Sequence, residues 1–182
     1  MAAIVAGDIL WKYSTAVGAA GNSNTSTAAG SLGKYISTSA WAGGSLNDLF
    51  DNISGAENAA STVDYRCVFI HNSNAANTYE NPVVYLSSEV AGGASISIAI
   101  DNLAASAIGG ASAQSATIAS ETTAPSGVGA FSAPTTSGTG LALSNLAVGN
   151  CRGVWVRRTA ANTAALTGDG VTLAVTGDTG SL

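Results

Sequence analysis

Hydrophobic positions along this chain recur at the two-residue period of β-strands and rarely at the period of a helix. The clearest run is Asp64 to His71 (DYRCVFIH), where Tyr65, Cys67 and Phe69 alternate with Arg66, Val68 and Ile70. Both sets are largely apolar, which predicts a strand covered on two faces. Pro82 to Ser87 (PVVYLS) predicts a second strand, and the turn cluster Asn72 to Asn77 makes a hairpin the simplest link between the two. After Gly92 and Gly93, Ser95 to Ile100 (SISIAI) alternates Ile with Ser and Ala, the pattern of a half-buried strand. Leu141 to Leu146, Gly153 to Thr159 (GVWVRRT) and Val171 to Thr176 (VTLAVT) supply the remaining strands, the last with Val171, Leu173 and Val175 inward. Ala104 to Ala119 reads as loop, because Gly109, Gly110 and scattered serines interrupt the helix its alanines would permit. Pro125 to Pro134 reads as a loop that docks Val128 and Phe131 on the core.

Short strands separated by polar turns, without an amphipathic helix of ordinary length, predict an all-β fold: a β-sandwich or jelly roll over residues 62–182. Residues 1–61 have no sustained period and predict an extended, mostly irregular N-terminal arm. Its apolar islands are Ile4 to Tyr13, Leu32 to Ile36 and Ser45 to Ile53. Between them, Gly18 to Gly30 (GAAGNSNTSTAAG) is too poor in apolar residues to offset its ordering entropy. Ser45 to Phe50 reads as a capped single turn with Leu46, Leu49 and Phe50 on one side, an anchor for the arm.

Composition narrows the picture. The 182 residues suit one domain plus an appendage, and only 9% of them are charged. Alanine swells the apolar fraction of 46%, whereas aromatic residues make up 6%, which favours thin β layers over a thick aromatic core. The net charge is −5, and the six basic residues, Lys12, Lys34, Arg66, Arg152, Arg157 and Arg158, are too few for a phosphate-binding stripe. No direct nucleic-acid partner is expected. No segment approaches the roughly 18 apolar residues of a membrane helix, and Met1 to Trp11 lacks the basic start and apolar block of a secretory signal, so synthesis and use in the cytosol are expected. Cys67 and Cys151 lie in apolar runs, either as buried free thiols or as a disulfide joining two strands; neither arrangement makes them catalytic.

Catalytic motifs are missing. The 11 carboxylates show no close, pattern-bearing pair. Asp101, Asp169 and Asp178 could converge on Ca²⁺ through loops, against the simpler reading of turn-forming Asp beside Gly. His71 is the single histidine, which rules out a multi-histidine metal site within one chain. At a strand end it is expected to donate a structural hydrogen bond. Neither a Gly-x-Ser-x-Gly elbow nor a phosphate loop is present. No enzyme, no cofactor and no bound metal are therefore expected. Contacts are the more promising chemistry, because aromatic residues and Arg are favoured at interface centres. Trp11, Tyr13, Tyr35, Trp41, Leu49, Phe50, Arg157 and Arg158 are the candidate interface residues. Trp11 and Trp41 either pack on another subunit or fold back onto their own sandwich, and Trp155, between two valines, reads as core. Arg157 and Arg158 alternate faces if their strand is regular, so one could meet a neighbouring chain's carboxylate or both could be solvated.

One resemblance adds to this. Tyr65-Arg66-Cys67-Val68-Phe69-Ile70-His71-Asn72, Val83-Val84-Tyr85-Leu86, Gly153-Val154-Trp155-Val156-Arg157-Arg158-Thr159 with Ala160-Ala161-Asn162-Thr163-Ala164-Ala165, and Val171 to Thr179 together resemble a β-sandwich domain that recurs in virion proteins of tailed bacteriophages. Capsid decoration (cement) proteins are among these. Leu46-Asn47-Asp48-Leu49-Phe50-Asp51 is similar to the approach to such a domain. The resemblance implies a structural protein made in the host cytoplasm and carried on the outer capsid surface. There it would bind the major capsid protein and other copies of itself, as a dimer or trimer, and stabilise the DNA-filled head. Related domains in tail or baseplate components imply an adaptor as the alternative. A third possibility, from the residues alone, is a carbohydrate-binding module using Tyr, Trp and Asn.

Overall fold

The computed structural model of the protein describes residues 3–18, 24–164 and 166–180. Its strands among these residues are β1 (Ile9–Thr15), β2 (Tyr35–Ala40), β3 (Val63–Asn72), β4 (Tyr79–Glu89), β5 (Ser95–Ile100), β6 (Ser106–Ala107), β7 (Leu141–Ala142), β8 (Asn150–Thr159) and β9 (Val171–Thr179). They form a β-sandwich of two antiparallel sheets. The larger runs β2-β1-β3-β8-β5, with β6 continuing the β5 edge along β8, and the smaller runs β7-β4-β9.

The doubly apolar run explains this arrangement. β3 lies inside the large sheet, paired with β1 from Ile9↔Asn72 to Tyr13↔Val68 and with β8 from Val63↔Thr159 to His71↔Cys151. Its Val68 and Ile70 join Val154 and Val156 of β8 and Ile96 and Ile98 of β5 in the core that packs on Val84 and Leu86 of β4. On the opposite face, Cys67, Phe69, Ala99, Cys151 and Trp155 form a second core, covered by Ile36, Ile118, Val128 and Phe131. The Pro125–Pro134 loop thus docks its two apolar side chains as the sequence predicts. β5 is more covered than its alternation suggested: Ser97 and Ala99 are buried along with the isoleucines, because this second layer lies over them.

Irregular chain forms that second layer, so its buried main-chain groups need partners. Asp101, fully buried, accepts from Ala116 N (2.7 Å), Leu103 N (2.9 Å) and Trp155 Nε1 (2.9 Å). The Gln114 side chain accepts from Ile36 N and donates to Ser106 Oγ, Ala107 O and Cys151 Sγ. Lys34 N donates to Ala116 O, closing residues 31–34 against 114–118. Gly33 makes this approach possible with a φ of +90°.

Three expectations change. β3 and β4 are not a hairpin, since they belong to different sheets; the intervening turn crosses the sandwich, tied by Asn72 Nδ2 to Asn77 O and Leu146 O. Ser45–Phe50 is not a helical turn with three apolar residues on one side: Asn47 takes a left-handed φ of +60°, which turns Leu46 outward, 83% exposed, and leaves Leu49 buried. The helix that does form is α1 (Gly55–Ala60), started by a capping box in which Ser54 Oγ accepts from Glu57 N and Glu57 Oε2 accepts from Ser54 N. The third concerns residues 1–61. They are irregular over most of their length, but β1 and β2 are strands of the large sheet, so a boundary at 61/62 separates no structural units. Of the Gly18–Gly30 stretch, residues 19–23 lie outside the described residues; Asn24 O accepts from Thr38 N at 3.0 Å on the outer edge of β2.

A Cβ at Gly33 would intrude on Ala116 O and come within 2.9 Å of Trp155 Cζ2. Gly33→Ala is expected to cost on the order of 3 kcal/mol or more in urea denaturation. Gly44→Ala also has a positive φ (+82°) but meets open space, and is expected to cost only about 1 kcal/mol.

Candidate functional site

The large sheet has a polar end. There β3 and β8 turn Asp64, Arg66 and Arg158 toward the small sheet, and all three are buried. Arg158 pairs with Asp64 (2.7 Å) and Asp51 (3.2 Å), and its Nη1 donates to Asp51 O. Arg66 pairs with Glu121 and donates through Nε to Leu49 O at 3.3 Å. The ring of Phe50 lies beside both guanidinium groups, 4.8 Å from Arg158 and 5.8 Å from Arg66. Two arginines on adjacent strands therefore hold residues 49–51 by main-chain carbonyls and one aromatic ring.

Once 49–51 are fixed, the chain before them becomes one wall of a cleft. Trp41 follows β2, donates its backbone N–H to Trp11 O (2.9 Å) and packs edge-to-face on the Trp11 ring at a centroid distance of 5.6 Å. Tyr13 Oη donates to Asp48 O at 2.5 Å, and burial beside the Asp48 carboxylate pushes the phenol pKa up. The far wall consists of the loop before β9 and the start of β9, including Leu166, Asp169, Val171 and Leu173. Between the walls lies a cleft of about 920 Å³. In the tryptophan wall, Trp41 Nε1 and Asp48 Oδ2 are buried without a hydrogen-bond partner among the described residues. The cleft thus offers indole surface, amide groups and carboxylates. Its one arginine, Arg158, is committed to Asp51 and Asp64.

The predicted interface residues separate into two groups. Tyr35, Leu49 and Arg158 are interior residues of the fold rather than contacts awaiting a partner: Tyr35 Oη donates to Ala111 O, and the other two sit in the anchor just described. Trp11 and Trp41 fold back onto their own sandwich, the second of the two arrangements open to them. Phe50 and Tyr13 are partly buried in the same region. Arg157 and Arg158 alternate faces as expected. The carboxylates that meet Arg158 are the chain's own, and Arg157 donates to Ser97 Oγ (2.8 Å) and lies 5.0 Å from the Phe131 ring. The Ser54-x-x-Glu57 capping signature is a sequence signal for α1, whose first turn lines the cleft through Gly55 and Asn58.

Other candidates are not brought together. Asp101 is occupied by three donors in the second layer, Asp169 accepts from Ala94 N at 2.7 Å, and Asp178 lies on β9. Among the described residues no three His, Cys, Asp or Glu side chains group to hold a metal. Cys67 and Cys151 are free thiols on neighbouring strands, four positions apart in register. At about 3.3 Å per residue that separation exceeds the Cα spacing of a disulfide. Burial pushes the Cys67 thiol up and Cys151 to about 12, so both stay protonated. His71 donates no structural hydrogen bond: both ring nitrogens are buried without a partner among the described residues. No known protein family, no curated protein and no solved structure matches the chain.

Burial, and then the charge of Lys12, lower the His71 pKa below its ordinary value of 6.5. The unfolded chain therefore binds more protons than the folded one as pH falls through 6.5, and folding stability is lost on acidification. In urea titrations from pH 8 to pH 5, His71→Gln is expected to flatten this dependence, which a single proton limits to about 1.4 kcal/mol per pH unit. An unchanged slope would show that His71 is not the responsible group.

Proposed function

We propose that the protein is a structural component of a tailed-bacteriophage virion: a capsid decoration protein that binds the outer shell and bridges major capsid proteins. The observation that carries this reading is where the charge goes. Arg66, Arg152, Arg157 and Arg158 are all engaged within the chain, by Glu121, Asp101 O, Ser97 and the Asp51–Asp64 pair. What remains outside is largely Ser, Thr, Ala, Gly and Asn, with a few exposed carboxylates such as Glu89, Asp169 and Asp178 and single exposed apolar residues such as Val5, Val17 and Leu46. Such a surface suits many weak, uncharged contacts repeated by symmetry, whose strength comes from multivalency. The resemblance of the β3, β4, β8 and β9 segments to phage virion domains supports the same assignment. Its mechanism is binding energy alone, with no chemical step.

Quantitative mass spectrometry of purified phage particles tests it, by the molar ratio of this chain to the major shell protein. A ratio near one, or a regular fraction of it, is the expected result. A few copies per particle would move the protein to the tail or baseplate as an adaptor, and absence would end the virion reading.

The cleft favours a second reading, a carbohydrate-binding module. Indole rings stack on sugar rings, and Trp11 and Trp41 both line the cleft. On that reading the isolated chain binds a glycan array and Trp41→Ala abolishes the signal. A blank array removes it.

A further inference from the structure

The charges that line the cleft do not balance. Three carboxylates, Asp48, Asp51 and Asp169, meet a single guanidinium, that of Arg158. Arg158 is shared between Asp51 and the buried Asp64, so no cation among the described lining residues remains to answer Asp48 or Asp169. A ligand that enters the cleft therefore meets a negative field.

Both unanswered carboxylates are held in place by the fold. Asp169 stands in the far wall, where its Oδ2 accepts from Ala94 N at 2.7 Å. Gly93 makes room for it, since a Cβ there would come within 2.1 Å of Asp169 Oδ1. Asp48 belongs to the tryptophan wall. Its main-chain oxygen accepts from Tyr13 Oη, and its Oδ2 lies 3.8 Å from the position that a Cβ on Gly43 would take, two residues beyond Trp41. The indoles of Trp11 and Trp41 stand at 87° to one another, so they form a corner rather than a flat platform. Indole rings stack on sugar rings, and their faces also attract cations.

A neutral sugar would use the indoles and leave both carboxylates unanswered, and an acidic sugar would be repelled by them. A sugar that carries an ammonium group answers both features. We propose that the cleft is a binding site for amino-sugar chains with free amines, whose rings lie against Trp11 and Trp41 and whose ammonium groups face Asp48 and Asp169. This inference rests on the carbohydrate-binding reading of the cleft and adds to it the class of sugar. At about 920 Å³ the cleft is larger than a single sugar ring needs and of the size that encloses a whole small ligand, so successive rings of one oligomer reach both walls.

Isothermal titration calorimetry of the full chain tests it at about pH 5.5, where Asp carboxylates are ionised and the sugar amines carry their protons. The probes are a matched pair, the trisaccharide of β-1,4-linked glucosamine and its fully N-acetylated counterpart, which share their rings and differ in charge. The free amine is expected to bind about tenfold tighter at low salt, and the difference to shrink as salt is raised. Asp48→Asn and Asp169→Asn are each expected to weaken binding of the cationic trisaccharide about fivefold and to leave the acetylated one unchanged. Both substitutions keep the shape of the side chain, and an unchanged melting temperature verifies folding. Equal binding of the two trisaccharides, tighter binding of the acetylated one, or a preference for the amine that survives both substitutions would overturn the inference and leave the carbohydrate reading standing. Binding of neither would overturn both.

Discussion

Everything in this fold depends on a sheet that is apolar on both faces. β3 and β8 bury Val68, Ile70, Val154 and Val156 on one side and Cys67, Phe69, Cys151 and Trp155 on the other. Two covers are therefore required. The first is ordinary, a three-stranded sheet that bonds its own main chain. The second is a layer of irregular segments, which brings unpaired peptide groups onto an apolar surface, where each would be costly without a partner. Asp101, Gln114 and Ser115 supply those partners from inside, and Trp155 joins them through its indole N–H. A few buried polar side chains thus convert loop into core.

The same economy of charge shapes the opposite end of the sheet. A chain with so few ionisable groups uses its arginines for assembly of its own fold. Arg66 and Arg158 hold residues 49–51 by their carbonyls, and the Trp11–Trp41 contact fixes the segment where it leaves β2. Removing one partner of such a buried pair leaves a charge uncompensated, which is far more costly than losing a surface pair. The cleft is a consequence of this anchoring: it lies where the small sheet is too narrow to cover the large one, bounded by β9 on one side and the tethered segment on the other.

Much of the architecture was legible in the alternation of residues. The two-sided character of Asp64 to His71 placed β3 inside a sheet, Ser95 to Ile100 coincided with β5, and Val128 and Phe131 docked as expected. Periodicity failed where the deciding contact is remote in sequence. β1 and β2 are amphipathic only weakly and read as part of an arm, because β1 pairs with β3 more than fifty residues away and β2 is held in the sheet only through β1. The supposed β3–β4 hairpin failed for a related reason: a turn cluster signals a reversal of the chain but not which sheet the chain enters next. At the cleft, the tryptophans stood out by residue type, while the arginines that hold the segment between them looked like surface or interface residues, since an ion pair has no local signature.

Residue order alone was enough to show that the chain is built from short strands, that the strand at 63–72 is covered twice, and that no catalytic or metal-binding motif is written in contiguous residues. These are local properties, carried by a two-residue period and by residue type. Which strands pair, that the tryptophans face one another, and that Arg158 answers Asp51 and Asp64 of its own chain were settled by the three-dimensional fold. Each of these depends on the width of one sheet relative to the other and on contacts between residues far apart along the chain. Local periodicity carries no information about such long-range geometry.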